Sequence, residues 1–217
     1  MIITIDGPAG SGKSTVAKLL ARKLNINFLN TGAMYRAVTY YLIENSISPY
    51  VDLEVKNALK KIEINFEGEE IFLCGINVTR KIRTPEVEKL VSIVSSIKAV
   101  REKMVDFQRK IVRGKNYVLE GRDTGSVVFP DADYKFYLYA SLDERARRRQ
   151  KEIFEKENRT ISFDEVKEEL ASRDYLDENR ELSPLKIPHG AIVIDTTDLS
   201  IDEVLAKILS CINNKSF

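Results

Sequence analysis

The chain of 217 residues is long enough for one sizeable hydrophobic core, so a single elaborated domain is the simplest organisation. Its 34 basic and 33 acidic side chains nearly cancel, which argues against a nucleic-acid-binding protein that relies on a broad basic surface. Two distant cysteines and one histidine provide no zinc or disulfide framework. Neither a secretory leader nor an apolar run of membrane-spanning length can be recognised, so we expect a cytoplasmic protein without a membrane or nucleic-acid partner.

Five short apolar runs alternate with segments of helical periodicity along most of the chain. The runs are MIITID, NFLN, NYVLEG, YKFYLYA and AIVID, and they predict an α/β fold with a five-stranded parallel sheet flanked by helices. Between residues 63 and 84 the pattern changes to strand-like runs separated by EGEE and by a glycine, which predicts a small antiparallel insertion. A long helical pattern follows directly, from residue 85 to residue 114.

The segment GPAGSGKS, from Gly7 to Ser14, matches the phosphate-binding pattern G-x-x-x-x-G-K-[ST] between a predicted strand and a predicted helix. Glycines let backbone N–H groups converge on phosphate oxygens, and the helix N-terminus adds partial positive charge. Lys13 would contact the β and γ phosphates, and the Ser14 hydroxyl would ligate Mg²⁺. An ordinary glycine-rich turn is the alternative. The predicted nucleoside triphosphate site comprises Gly7, Pro8, Ala9, Gly10, Ser11, Gly12, Lys13, Ser14 and Thr15.

Arginines near predicted strand ends and helix starts indicate an anionic second substrate. In open α/β sheets, ligands bind at the carboxyl ends of the strands, where such arginines can converge. Each arginine alone is more simply a surface residue, except Arg122, because EGRDTG follows a buried strand directly. The series comprises Arg36, Arg83, Arg101, Arg122, Arg173 and Arg180.

The segment SLDERARRRQKE crowds four arginines within two turns of a predicted helix, where like charges repel one another. As a mobile lid, the cluster could neutralise the transferred phosphoryl group and exclude water. A solvated basic face, paired with neighbouring carboxylates, is an equally compatible interpretation. The four arginines are Arg145, Arg147, Arg148 and Arg149.

A later helix combines an apolar stripe with charged residues. Its start is predicted by the capping-box pair Ser162 and Glu165. The stripe formed by Phe163, Val166 and Leu170 continues, at helical spacing, into Arg173, Asp177 and Arg180. Because a solvated face would lie opposite the stripe, we interpret the charged row as part of a binding site, with a structural ion pair as the alternative.

Taken together, these motifs closely resemble those of the bacterial cytidylate kinases, which are nucleoside monophosphate kinases of the P-loop superfamily. The resemblance covers essentially the whole chain. It rests on ITIDGPAGSGKST, TGAMYRAV, IRTPEV, EGRDTGSVVFPDA, ERARRR and SRDYLDENRELSPL, which follow the family's order and spacing. It implies reversible transfer of the γ-phosphoryl group from ATP, bound with Mg²⁺, to CMP or dCMP by an enzyme that we expect to be monomeric.

The resemblance also implies roles for individual residues. Lys13, Arg148 and Arg149 would act on the transferred phosphoryl group. Arg36, Arg122 and Arg173 would contact the CMP phosphate, and Asp177 with Arg180 would contact the sugar. The nucleoside contacts would be Thr31, Ser92, Arg101 and Asp123, the last three at the cytosine.

The implied organisation is a core of residues 1–30, 115–142 and 185–217, a monophosphate-binding region at 31–114, and a lid with the acceptor helix at 143–184. Two residues depart from the family pattern: Asn30 replaces a frequent Asp, and Ser126 replaces a usual Thr. Other acceptors, such as UMP, AMP or a small hydroxyl compound, stay open as alternatives, as does a nucleotide-dependent switch without an acceptor.

Overall fold

A computed structural model describes residues 1–214, apart from the side chains of residues 156 and 157. The strands are β1 (Ile2–Asp6), β2 (Asn27–Asn30), β3 (Ile64–Glu67), β4 (Glu70–Leu73), β5 (Ile76–Asn77), β6 (Tyr117–Gly121), β7 (Tyr134–Tyr139) and β8 (Ile192–Asp195). The helices are α1 (Lys13–Leu24), α2 (Thr31–Glu44), α3 (Asp52–Lys61), α4 (Pro85–Ser96), α5 (Lys98–Val112), α6 (Leu142–Glu157), α7 (Phe163–Asn179) and α8 (Ile201–Asn214). Two compact units result, one of residues 1–29 and 114–217, the other of residues 30–113.

The first unit is built on a five-stranded sheet in the order β2-β6-β1-β7-β8. Strand β1 runs parallel to both β6 and β7, and β7 runs parallel to β8. All five predicted strands are therefore confirmed, and β1 lies in the centre of the sheet. In parallel strands, the carboxyl ends meet at one edge, so the loops that follow β1, β6 and β7 lie side by side.

The core of this unit explains why its strands read as continuous apolar runs. Ile3, Ile5, Val118 and Phe136 are completely buried in a cluster with residues of α1 and α8, and Leu119, which points to the opposite face from Val118, is completely buried as well. Among these helical residues, Leu20 of α1 and Ile208 of α8 are also fully buried. The sheet is thus a rigid base for the loops at its carboxyl edge.

The second unit contains the predicted antiparallel insertion, a three-stranded sheet in the order β3-β4-β5. The long helical pattern that follows is in fact two helices, because Ile97, with φ −67° and ψ 124°, interrupts it between α4 and α5. Helix α3 had no counterpart among the predicted elements. Within residues 1–214, each helix is too short or too polar to cross a membrane.

Candidate active site

The phosphate-binding loop from Gly7 to Ser14, called the P-loop below, joins β1 to α1 and requires glycine at two positions. Gly12 has φ 87°, a left-handed conformation, and lies immediately before the first residue of α1. A Cβ atom at Gly7 would lie 1.9 Å from the carbonyl oxygen of Leu138, so only glycine fits against the neighbouring strand β7. The predicted glycine loop therefore has backbone geometry that other residues could not adopt without strain.

Lys13, the P-loop lysine, is buried and folds back over its own loop. Its Nζ donates hydrogen bonds to the Pro8 carbonyl and to Ser11 Oγ, the latter at 3.3 Å. Burial and the nearby Arg122 hold the pKa of Lys13 well below its ordinary value, although surrounding carboxylates oppose this shift. An anionic phosphate would stabilise the charged form of this amine.

The hydroxyl of Ser14 donates a hydrogen bond of 2.8 Å to Glu120 Oε1, near the end of β6. Both groups are hard oxygen donors of the kind that Mg²⁺ prefers, and Glu120 is buried. The residues present therefore fit a magnesium ion held jointly with nucleotide phosphates. Glu120 was not among the predicted site residues. Its position could have identified it, because it directly precedes the GRD segment near the end of β6, the strand beside β1.

After β6, Arg122 and Asp123 lead into a single π-helical turn from Thr124 to Val128, a conformation found frequently at functional sites. Asp6, the last residue of β1, accepts hydrogen bonds from the N–H groups of Thr124 at 2.9 Å and Gly125 at 2.7 Å. A Cβ atom at Gly125 would lie 2.5 Å from Thr4 Oγ1, so this turn also requires glycine. Asp6 thus connects the end of β1 to the π-helical turn that follows Asp123.

The environment of Asp6 acts on its ionisation in opposing ways. Burial raises the pKa of Asp6 to about 6, the two backbone N–H groups oppose the rise, and the negative charge of Asp123 adds to it. The geometry is that of an acceptor-only carboxylate, because each oxygen accepts one N–H bond. At neutral pH we therefore treat Asp6 as ionised.

Four of the predicted acceptor-site residues form one buried charge network. Arg122 Nε donates a 2.9 Å bond to Asp177 Oδ2. Arg180 lies 3.8 Å from Asp177 Oδ1 through Nη1 and 3.5 Å from Asp123 Oδ1 through Nη2. Its Nε is held by the Ser183 carbonyl at 2.7 Å. Two arginines thus alternate with two aspartates at the carboxyl end of β6.

Helix α7 supplies Asp177 to this network, as the apolar stripe predicted. Val166, Leu170 and Asp177 are all buried, so the inward face does continue into charge. Burial alone would raise the pKa of Asp177, but Arg122, Arg173 and Arg180 outweigh it and hold that pKa below its ordinary value. The helix ends at Asn179, so Arg180 lies at its C-cap rather than within the predicted helical row.

The capping residue predicted for this helix is confirmed, since Ser162 Oγ accepts a 3.1 Å bond from the backbone N–H of Glu165. The alternative of a structural ion pair is also partly realised. Asp177 does form ion pairs, but with Arg122 and Arg180, while Arg173 acts on its pKa.

The two arginines predicted to act on the phosphoryl group have protein partners in the structure. Arg148 pairs with Glu144 at 3.0 Å and donates to Thr196 Oγ1 at 3.1 Å, in the segment that follows β8. Arg149 pairs with Glu152 at 3.0 Å. Both arginines therefore pair with neighbouring carboxylates, as the alternative of a solvated basic face predicted. Their roles at the phosphoryl group stay predictions.

In the second unit, Thr31 is the first residue of α2 and is buried. Arg36, one turn further along α2, donates from Nε to Glu88 Oε1 of α4 at 2.7 Å. Asn30 caps the helix by accepting a 2.9 Å bond from Ala33 N–H, a role in which an amide oxygen replaces a carboxylate well. The departure from the family pattern at Asn30 thus leaves the helix start intact.

The residues predicted at the cytosine in this unit, Ser92 and Arg101, are both buried. Arg101, on α5, donates to the Ser95 carbonyl at 3.2 Å, and its guanidinium lies 5.3 Å from the centre of the Tyr35 ring. Tyr35 and Glu88 therefore orient two of the predicted CMP-contacting arginines. Neither was identified from the sequence, where only their nearness to TGAMYR and IRTPEV could have indicated them.

A model of the cytidylate kinase family matches residues 3–214 of the chain. A cytidylate kinase of Caldanaerobacter subterraneus is 49% identical over 99% of this chain and 95% of its own length. One from Fusobacterium nucleatum is 50% identical over 94% of each.

Among solved structures, a shikimate kinase of Bacteroides thetaiotaomicron gives a TM-score of 0.51 at 12% identity, covering 98% of both chains. At that identity the similarity shows the fold alone. The family match and the close relatives extend over nearly the whole chain, and on this evidence the chain belongs to the cytidylate kinase family.

Proposed function

We propose that the protein transfers the γ-phosphoryl group of ATP to CMP or dCMP, giving CDP or dCDP and ADP. The observation that carries the proposal is the buried network of Arg122, Asp177, Arg180 and Asp123, in the same unit as a complete P-loop. The network favours an acceptor site over a nucleotide-dependent switch, which needs no second anion-binding site. Membership of the cytidylate kinase family supports the same acceptor.

Little covalent chemistry is required of the protein, because an oxygen of the CMP phosphate is already an anionic nucleophile. Backbone N–H groups of the P-loop and the Lys13 amine bind the ATP phosphates and stabilise the charge that develops on the transferred group. Ser14 and Glu120 would hold Mg²⁺, which would neutralise negative charge on the nucleotide phosphates. Arg148 and Arg149 stay candidates for further contacts to the phosphoryl group.

The acceptor is positioned by charges of both signs. Arginine guanidinium groups match the oxygens of the CMP phosphate, a task we assign to Arg36, Arg122 and Arg173. Asp177 and Arg180 contact the sugar, with the Asp177 carboxylate accepting hydrogen bonds from its hydroxyls. Arg122, Arg173 and Arg180 together hold the pKa of Asp177 below its ordinary value and so keep this carboxylate ionised.

At the base, the chemistry of cytosine fits the residues assigned to it. Asp123 accepts from the exocyclic amine, which cytosine has and uracil lacks. Arg101 donates to the ring acceptors, and Ser92 contributes a hydroxyl. Asp123 therefore favours cytosine over uracil, since uracil would present a carbonyl oxygen to the Asp123 carboxylate.

A coupled ADP-release assay with CMP, dCMP, UMP and AMP tests the proposal directly. We expect the highest kcat/KM for CMP or dCMP. A best kcat/KM with UMP, AMP or a small hydroxyl compound would identify another acceptor kinase. Slow ATP hydrolysis that no acceptor accelerates would instead indicate a switch.

A further inference from the structure

Ala9, in the P-loop, contacts the helices α6 and α7 through both its side chain and its peptide groups. Its methyl group belongs to a buried apolar cluster with Ala146 and Ile153 of α6 and with Val166 and Leu170 of α7. Residue 9 is only 6% exposed, so its peptide groups need protein partners.

Both peptide groups of Ala9 find such partners in one buried ion pair. The N–H of Ala9 donates to Asp174 Oδ1 at 3.2 Å, and the carbonyl of Ala9 accepts from Arg145 Nη1 at 3.1 Å. Arg145 and Asp174 also bond directly to each other, and each is 8% exposed. A third bond, from Arg145 Nε to the Ala140 carbonyl at 3.0 Å, fixes the guanidinium at the start of α6.

The next residue of the loop confirms how closely α6 approaches. A Cβ atom at Gly10 would lie 3.1 Å from Cβ of Arg145 and 3.2 Å from its carbonyl oxygen. Arg145, which the sequence pattern placed with the lid arginines, is therefore bonded to the backbone of the P-loop.

We propose that Arg145 and Asp174 are positioning residues that set the conformation of the P-loop for ATP. Asp174 directly follows Arg173, which the proposed function places at the CMP phosphate. Two consecutive residues of α7 thus serve different substrates, and this helix links the acceptor site to the donor loop. Phosphate recognition by a P-loop depends on where its N–H groups point, so a shift of the Ala9 peptide weakens ATP binding.

The inference rests on the proposed kinase function, and Asp174→Asn is its first test. The substitution keeps an oxygen for Ala9 N–H but removes the charge that Arg145 binds. We expect the KM for ATP to rise about tenfold to a hundredfold, the factor that corresponds to one lost hydrogen bond to a charged group. The KM for CMP changes by less than threefold, and Glu169→Gln, an exposed charge change on the same helix, behaves as wild type.

A second variant covers the case in which Asp174→Asn leaves Arg145 buried without a counter-ion and fails to fold. Arg145→Met with Asp174→Leu removes both charges and both contacts to Ala9, while apolar groups replace their volume. Such replacements of a whole buried pair are often neutral for stability. We expect a folded protein with a moderately lowered Tm, because the Ala9 N–H and carbonyl lose their partners, and the same rise in the KM for ATP.

Calorimetry of ATP binding without an acceptor separates this inference from the proposed function. Loss of ATP affinity in the folded double variant supports the positioning role, whichever acceptor the enzyme uses. Wild-type ATP affinity in that variant, or a lowered Tm with unchanged KM for ATP in Asp174→Asn, would show that the pair is merely structural and overturn the inference.

Discussion

Replacement of Asp177 by Ala tests the acceptor network most sharply. The Asp177 side chain is 6% exposed and its carboxylate is bonded to Arg122, and it lies next to Arg180, whose side chain is 4% exposed. Removing one member of a buried ion pair typically costs about 3–5 kcal/mol, because a buried charge is left behind. Here Asp123 and the Ser183 carbonyl still hold Arg180, so we expect a loss near the lower end, about 3 kcal/mol of unfolding free energy.

The effect of Asp177→Ala on substrates should be selective. Loss of a charged acceptor for the sugar hydroxyls removes a contact worth about 1.5–3 kcal/mol, so the Kd for CMP should rise roughly tenfold to a hundredfold. The affinity for ATP should change little, since the P-loop contacts of Ala9 and Lys13 do not involve Asp177.

Isothermal titration with CMP and with ATP, together with urea denaturation, measures both quantities. Glu168→Gln, an exposed change of the same charge on α7, serves as the control. If stability fell by about 3 kcal/mol while the Kd for CMP stayed at its wild-type value, Asp177 would be a structural ion-pair residue and our acceptor assignment would be refuted.

Three further predictions concern Lys13, the bond between Glu88 and Arg36, and Asp6. Lys13→Ala should lower kcat severely with modest loss of CMP affinity, and near-normal kcat in a coupled assay would refute the donor-site assignment. Glu88→Gln should raise the KM for CMP about threefold to tenfold, because the 2.7 Å bond to Arg36 loses its charge, whereas exposed Glu86→Gln should not. A lower KM would mean that Glu88 competes with the phosphate for Arg36. Because the pKa of Asp6 is raised to about 6, its contribution to stability falls as pH rises from about 4 to 6. The unfolding free energy of wild type relative to Asp6→Asn should therefore drop by about 2 kcal/mol between pH 4.5 and pH 7 in denaturant titrations, and a constant difference would contradict the assignment.

The parts of the fold that could be predicted from sequence are those with strong local signals. The strands β1, β6 and β7 are β-branched or aromatic runs bounded by glycine, proline or polar residues, and each was identified correctly. Helix α3 was missed because only three of its ten residues are buried and no side chain caps its start. The break at Ile97 was missed because neither glycine nor proline marks it.

The candidate site likewise has residues that could be predicted from the sequence and residues that could not. The P-loop is contiguous, so its residues could be named from the sequence. The bond between Arg122 and Asp177 joins residues 55 positions apart, and only the fold brings them together. Asp174 lies four residues after Leu170 and therefore on the inward face, but the predicted row passed through Arg173 and Asp177 instead.

The arginines assigned to the CMP phosphate and the lysine assigned to the ATP phosphates have different hydrogen-bond acceptors within the protein. Arg36 and Arg122 each bond a carboxylate, of Glu88 and Asp177 respectively, so a CMP phosphate adds to or exchanges with an existing negative charge. Lys13 donates to a carbonyl and a hydroxyl, and burial together with the nearby Arg122 holds its pKa below the ordinary value, which disfavours the charged form. A triphosphate therefore supplies Lys13 with a counter-charge that the arginines already have. For this reason the donor phosphates should gain more from their lysine than the acceptor phosphate gains from any single arginine.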